Sequence, residues 1–302
     1  MIIPNFLQAG DVVGIVSTAR KITRNELLPA IHTFKSWGLK IFLGKNLYSE
    51  DNQFAGNDNQ RLNDLQSMLD NKKVKAIICA RGGYGTVRII DSLDFSIFKK
   101  QPKWIVGYSD VTVLHLHLNN LGFATLHSTM PINFQDNTKK SLNSLKNALF
   151  GTNRSISYKS NKACKDAIIS GKLVGGNLSI IYSILGTNSD IDTKEKILFL
   201  EDIDEYLYHI DRMIVSLKRN GKLKYLKALI VGSFTNIKDN EIPFGSTVEE
   251  IIKHHTNEYN YPICFDFPSG HIKDNQSLIF GAETCININS NNVILQQTQE
   301  LE

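Results

Sequence analysis

The chain has 302 residues, 42% of them hydrophobic and 21% charged, an ordinary globular composition on a length that suits two domains better than one core. Its 34 basic and 30 acidic residues leave a net charge of +4, and without a basic stripe interleaved with aromatics no nucleic-acid partner is expected. No run approaches the ~18 apolar residues of a membrane span, and MIIPNFLQAGDVV lacks a basic segment ahead of a long apolar one, so an unprocessed cytoplasmic chain without membrane insertion is expected.

In chain order, DVVGIVST (11–18) reads as a buried strand ending in small residues. NELLPAIHTFKSWG (25–38) has helical spacing and closes on Gly38 as a C-cap. A strand follows at 39–44, an amphipathic helix at 59–71, a solvated turn at Asn71-Lys72-Lys73 and a strand at 74–80. WIVG (104–107) is another strand, and 110–122 a helix ending at Gly122. Strands alternating with helices at this spacing predict a parallel sheet covered on both faces, with sites at the carboxyl ends of its strands. ARGGYG (80–85) and GYSD (107–110) lie at such ends.

From 134 to 166 the sequence turns polar, rich in Asn, Ser and Lys, with one helical stretch. This predicts a linker over 136–166 between an N-terminal α/β domain, 1–135, and a mixed α/β domain, 167–302. The second domain is read from runs at 167–187, 196–202, 206–221 and 227–234 and from short strand-like runs over 261–297. No repeat of fixed period is seen. Cys79, Cys164, Cys264 and Cys285 form no CxxC pair, and Cys79 and Cys264 sit in apolar strand-like runs, which fits free thiols in a reducing compartment. No histidine or cysteine spacing indicates a metal, and no cofactor is expected.

Four stretches could carry chemistry. Ser109 stands between a strand and a helix, where it could cap the helix or be a nucleophile on a tight turn; position 111 is valine, so this is not GxSxG. ARGGYGTVR (80–88) could be a plain strand-to-helix turn, an anion cradle or part of an oxyanion hole. LFLEDIDE (198–205) ends a strand with Glu201 and Asp202, which could orient a histidine or begin a solvated helix. His271, in FPSGHIKDNQSLIFG, has the best loop setting for a general base. His127 is a second loop candidate. His115 and His117 read as helix residues, His254 and His255 as a charged helix end.

RGGYG, GYSD-x-T, GGNLS, LFLED followed by YHIDRM, and SGH with a downstream GA occur here in one order. That order resembles the LD-carboxypeptidase family of serine peptidases, which includes the microcin C self-immunity peptidases, over about residues 10 to 290. The resemblance implies a flavodoxin-like or amidotransferase-like N-terminal domain and a Ser-His-Glu triad of Ser109, His271 and Glu201 at the domain interface. It also implies an oxyanion hole from the Asp110 N–H and an amide of the Gly82-Gly83-Tyr84 loop, with Gly83 taken as the donor. Arg81 and Arg88 are candidates for substrate carboxylates, Gly82 and Tyr84 for substrate contact, and Asn177 for substrate contact or loop shaping. The implied substrate is the murein tetrapeptide stem, losing its terminal D-alanine in wall recycling, with a homodimer as the expected state. Two rivals stand beside this reading: an acyl-nucleotide peptidase of the microcin type, and a non-enzymatic binding module in which Ser109 only caps.

Overall fold

The computed structural model describes residues 1–152, 155–162 and 164–298; positions 153, 154, 163 and 299–302, which the expected linker and second domain include, lie outside the described residues. The first part of the chain runs β1 (Val12–Val16), α1 (Arg24–Ser36), β2 (Lys40–Leu43), α2 (Asp58–Asp70), β3 (Val74–Cys79), α3 (Ser96–Lys100), β4 (Trp104–Gly107), α4 (Thr112–Asn120) and β5 (Thr125–His127). Helices α1 and α2 start on reciprocal capping boxes, Thr23 with Glu26 and Asn57 with Gln60, which satisfy amides that the first turn cannot. Gly38 and Gly122, the expected helix stops, both have positive φ, at 81° and 89°. The end of α2 is held by Lys103, whose Nζ reaches the carbonyls of Met68, Leu69 and Asn71 at 2.8–3.0 Å.

The strands β2-β1-β3-β4-β5 form a parallel sheet in the flavodoxin-like order, and β11 (Leu278–Phe280) closes its far edge antiparallel to β5. The expected linker is not a linker. It holds α5 (Lys139–Phe150), which packs Leu145, Ala148 and Leu149 on the first core, and β6 (Ser155–Lys159), which pairs with β13 (Asn292–Thr298) in the second sheet. The SISYK sequence of β6 alternates polar and apolar as an edge strand with one exposed face should.

The rest runs β7 (Ala167–Asn177), α6 (Leu178–Ser183), β8 (Ile197–Ile203), α7 (Leu207–Arg219), β9 (Ala228–Thr235), α8 (Val248–Thr256), β10 (Ile263–Cys264), then β11, β12 (Glu283–Asn289) and β13. The second sheet is mixed, in order β10-β9-β8-β7-β12-β13-β6, parallel from β10 to β7 and antiparallel beyond. Helix α7 buries Ile210, Met213, Ile214 and Leu217, an i, i+3, i+4, i+7 stripe. One apolar cluster runs from Leu65, Ile77 and Ile105 through Val113, Leu114 and Leu118 of α4 to Val174, Leu198 and Ile210. The two sheets therefore share a core, with α4 between them. Among the described residues no helix is long and apolar enough to cross a membrane.

Candidate active site

The carboxyl ends of β4, β7 and β8 converge on a pocket of about 440 Å³ at the junction of the two sheets, and Ser109, His271, Gly82, Gly83 and Asp202 all line it. Ser109 stands one residue beyond β4, after Tyr108, and has φ +60°, a left-handed conformation that costs a non-glycine residue about 1–2 kcal/mol. The N-cap positions of the 109–111 turn and of α4 are Tyr108 and Val111, and neither helix start carries a side-chain cap. Ser109 is therefore not the cap of either helix start. A strained backbone that lifts an unengaged hydroxyl into a pocket is what a nucleophile needs.

The base side is built from two elements. β8 delivers Glu201, whose carboxylate is completely buried, and the turn after Phe267 delivers His271, whose Nδ1 lies 2.6 Å from Glu201 Oε2. The Nδ1–H donates to the carboxylate, which leaves Nε2 as the nitrogen able to accept a proton. Burial disfavours the imidazolium, yet the charge and hydrogen bond of Glu201, with Asp202 and Asp204 beyond, outweigh it and raise the His271 pKa above 6.5. The Tyr108 ring packs on His271 with centroids 4.7 Å apart, and Tyr108 Oη donates to Asn133 Oδ1. Among the described residues no hydrogen bond joins Ser109 Oγ to His271. Catalytic hydrogen bonds often tighten only around substrate.

The His271 turn is tightly constrained. Gly270 N–H and Ser269 Oγ both donate to Asn275 Oδ1 at 3.0 Å, and Thr235 Oγ1 donates to the His271 carbonyl. Gly270 has φ +116°, and a Cβ there would stand 2.8 Å from Glu201 Oε2 and 2.4 Å from Ser233 Oγ. Only glycine lets this turn lie on the Glu201 carboxylate.

The register between β8 and β9 slips between Leu200 and Asp202, a bulge beside Glu201. Asp202 accepts from Asn177 Nδ2, Ser179 N–H and Ile203 N–H at 2.8–2.9 Å. Burial first, then the charge of Glu201, push its pKa up to about 7 despite those donors. Asn177 is nearly buried: its Oδ1 caps α6 through Ile180 N–H, and its own N–H reaches Thr112 Oγ1. Of its two expected roles, it fills loop shaping through these bonds while bordering the pocket.

On the opposite wall the glycine loop lies against the elbow. A Cβ on Gly82 would be 3.1 Å from Ser109 Cβ and 3.3 Å from Oγ. The buried Asp110 carboxylate accepts from Thr86 N–H at 2.9 Å, so its side chain ties the far end of the loop to the elbow. Burial raises the Asp110 pKa against that bond. The Asp110 N–H belongs to the first turn, whose amides no preceding turn satisfies. Tyr84 is exposed at the mouth, its ring 6.2 Å from that of Phe54.

Some expected contributors fall elsewhere. Arg88 forms a bidentate pair with Asp58, Nε to Oδ1 at 2.9 Å and Nη2 to Oδ2 at 2.7 Å, and lies over the Phe54 ring, outside the pocket. His127 ends β5, wholly buried among Tyr108, Phe199 and Phe280; burial drives its pKa well below 6.5, and it is core rather than base. Arg81 borders the pocket, with Nη1 donating to the Lys21 carbonyl at 3.2 Å and 3.9 Å from Glu26. Sequence reasoning missed Arg20, Gln53, Ser179 and Asp204, all in the pocket wall. The available signal for Arg20 was its place just beyond the carboxyl end of β1.

Two family models match the chain: the LD-carboxypeptidase N-terminal domain over residues 13–128 and the LD-carboxypeptidase C-terminal domain over 170–286. A probable murein peptide carboxypeptidase of Bacillus subtilis is 34% identical over 301 residues, covering 97% of this chain and 94% of the relative. The murein tetrapeptide carboxypeptidase of Pseudomonas aeruginosa is 26% identical, covering 89% and 91%. The crystal structure of muramoyltetrapeptide carboxypeptidase from Oxalobacter formigenes matches with a TM-score of 0.86 at 28% identity, over 95% of this chain and 99% of that one. The microcin C7 self-immunity protein MccF, solved with aspartyl sulfamoyl adenosine, matches with a TM-score of 0.89 over 100% of both chains at 20% identity, a likeness of fold.

Proposed function

This chain belongs to the LD-carboxypeptidase family of serine peptidases, and from that premise we propose that it removes the terminal D-alanine of the murein tetrapeptide through Ser109, His271 and Glu201. The observation that carries this reading is the 2.6 Å bond from buried Glu201 to His271, opening onto the same pocket as the strained Ser109. Ser109 Oγ attacks the carbonyl of the L-centre while His271 Nε2 takes its proton. His271 then protonates the departing D-alanine nitrogen, and water repeats the cycle on the acyl-enzyme. Glu201 holds the Nδ1–H tautomer and steadies the imidazolium. The Asp110 N–H and the Gly83 N–H serve as donors to the oxyanion, with Gly82 and Tyr84 shaping the substrate's entry.

The setting this reading carries is recycling of wall peptides in the cytoplasm by a homodimer. The test is mass spectrometry of murein tetrapeptide incubated with wild type and with Ser109→Ala. Release of one D-alanine by wild type alone is expected. Equal release by both would remove Ser109 from its role, and release by neither would remove the substrate.

A further inference from the structure

A carboxypeptidase must recognise the free carboxylate of the residue it releases, and that group lies two bonds beyond the leaving nitrogen. The carboxylate therefore lies within about one residue length, ~3.5 Å, of the scissile amide, and its reader a charge-assisted hydrogen bond, ~2.8 Å, beyond it, close to Ser109 and the glycine loop. The pocket wall holds two arginines, Arg20 and Arg81, both on the glycine-loop side, while Asp202 and Asp204 occupy the β8 side and would repel an anion. The two arginines differ in commitment. Arg81 is spent on the Lys21 carbonyl and faces Glu26. Arg20 has one long contact, Nη2 to Gln53 Oε1 at 3.4 Å, and no carboxylate pairs with it among the described residues.

Its stem is nevertheless fixed. Arg20 N–H reaches the Gly82 carbonyl at 3.4 Å, and Arg20 bridges Phe54 antiparallel. The side chain lies flat on Gly83: a Cβ at 83 would stand 2.5 Å from Arg20 Cδ and 2.7 Å from Cγ. The residue before Gly83 is the one in contact with Ser109 Oγ. A positioned guanidinium with a free fork, one loop residue from the nucleophile, has the shape for bidentate pairing with a carboxylate.

Resting on the proposed function above, we infer that Arg20 reads the terminal carboxylate of the leaving residue and so makes this site an exopeptidase. The peptide then runs with its carboxyl terminus toward the glycine loop and its acyl part toward Asp204. The contact exists before and during the reaction, so its loss falls mainly on KM.

The experiment compares kcat/KM on the murein tetrapeptide and on the same peptide ending in D-alaninamide. Wild type should prefer the free acid about ten- to hundredfold, the range for one charge-assisted pair. Arg20→Ala should lose that preference, with KM for the acid raised and kcat changed little. Arg20→Lys should restore part of it, because an ammonium supplies charge without the fork. Arg20 is exposed, and melting temperatures would confirm that both variants fold. If Arg20→Ala keeps the wild-type preference, the inference is wrong and the reader lies elsewhere. If wild type cleaves neither peptide, the proposed function itself falls, a result no Arg20 variant could produce.

Discussion

At the scale of residues the site rests on Ser109, held in a left-handed conformation, and on His271, biased toward its charged form. The second has a measurable consequence. A general base must be neutral, so kcat/KM should rise with pH as His271 loses its proton. Because the Glu201 charge and hydrogen bond outweigh burial, the midpoint of that rise should lie above 6.5. Glu201→Gln removes the charge and leaves only a neutral acceptor for Nδ1–H, so the limb should move to lower pH while the plateau falls about 10²- to 10⁴-fold. A pH profile of both proteins checks this, and an unmoved limb would detach Glu201 from His271. Gly270→Ala addresses the same bond sterically. The added methyl would press on Glu201 Oε2 and Ser233 Oγ, and φ +116° is unfavourable for alanine. A loss of about 1–3 kcal/mol of stability is expected, with activity falling further than stability alone explains. Denaturant unfolding beside kinetics separates the two.

At the scale of elements, the bulge in β8 sets two acids side by side, and Asp202 holds the strand to α6. Its folded pKa of about 7 exceeds the ordinary aspartate value of 3.8. The folded state thus binds that proton more tightly than the unfolded chain does. The resulting stabilisation is full below pH 3.8 and is lost as pH rises through 7. Asp202→Asn should flatten the stability difference between pH 5 and pH 8 seen in wild type, measured by urea unfolding at each pH. It should also cost stability of about 1–3 kcal/mol at pH 5, since the amide oxygen can keep Asn177 Nδ2 and Ile203 N–H but the amide nitrogen cannot accept from Ser179 N–H. The elements that sequence made legible were those with one clear period. The apolar runs of β1, β3, β4 and β8 and the helix stops at Gly38 and Gly122 declare themselves locally. SISYK did not, because an edge strand with alternating serines resembles a polar loop until its partner β13 is known. The approach of Glu201 to His271, 70 residues apart, followed from the order of motifs and from no local pattern. Arg20 offered only its place after β1, because its meaning lies in what packs on it, a glycine more than sixty positions away.

At the scale of the whole molecule, chain order and spatial order part company. The first sheet is finished by β11, which returns from the far end of the chain to pair Leu278, Ile279 and Phe280 with His127, Leu126 and Thr125. Strand β6, early in the sequence, closes the second sheet against β13. The turn bearing His271 leads into β11, so the segment that brings His271 to the pocket of Ser109 is the one that stitches the sheets together. With α4 buried between them, neither sheet can lose its partner without exposing Leu114, Val174 and their neighbours to water. The two halves should therefore unfold together rather than as separate domains. Both tryptophans, Trp37 and Trp104, lie in the first part of the chain, whereas far-ultraviolet circular dichroism reports both sheets. Urea transitions followed by tryptophan fluorescence and by circular dichroism should then coincide in midpoint and slope. A fluorescence transition displaced from the dichroism curve would mean that the first sheet opens alone, and that β11 is a detachable strap rather than part of a shared fold.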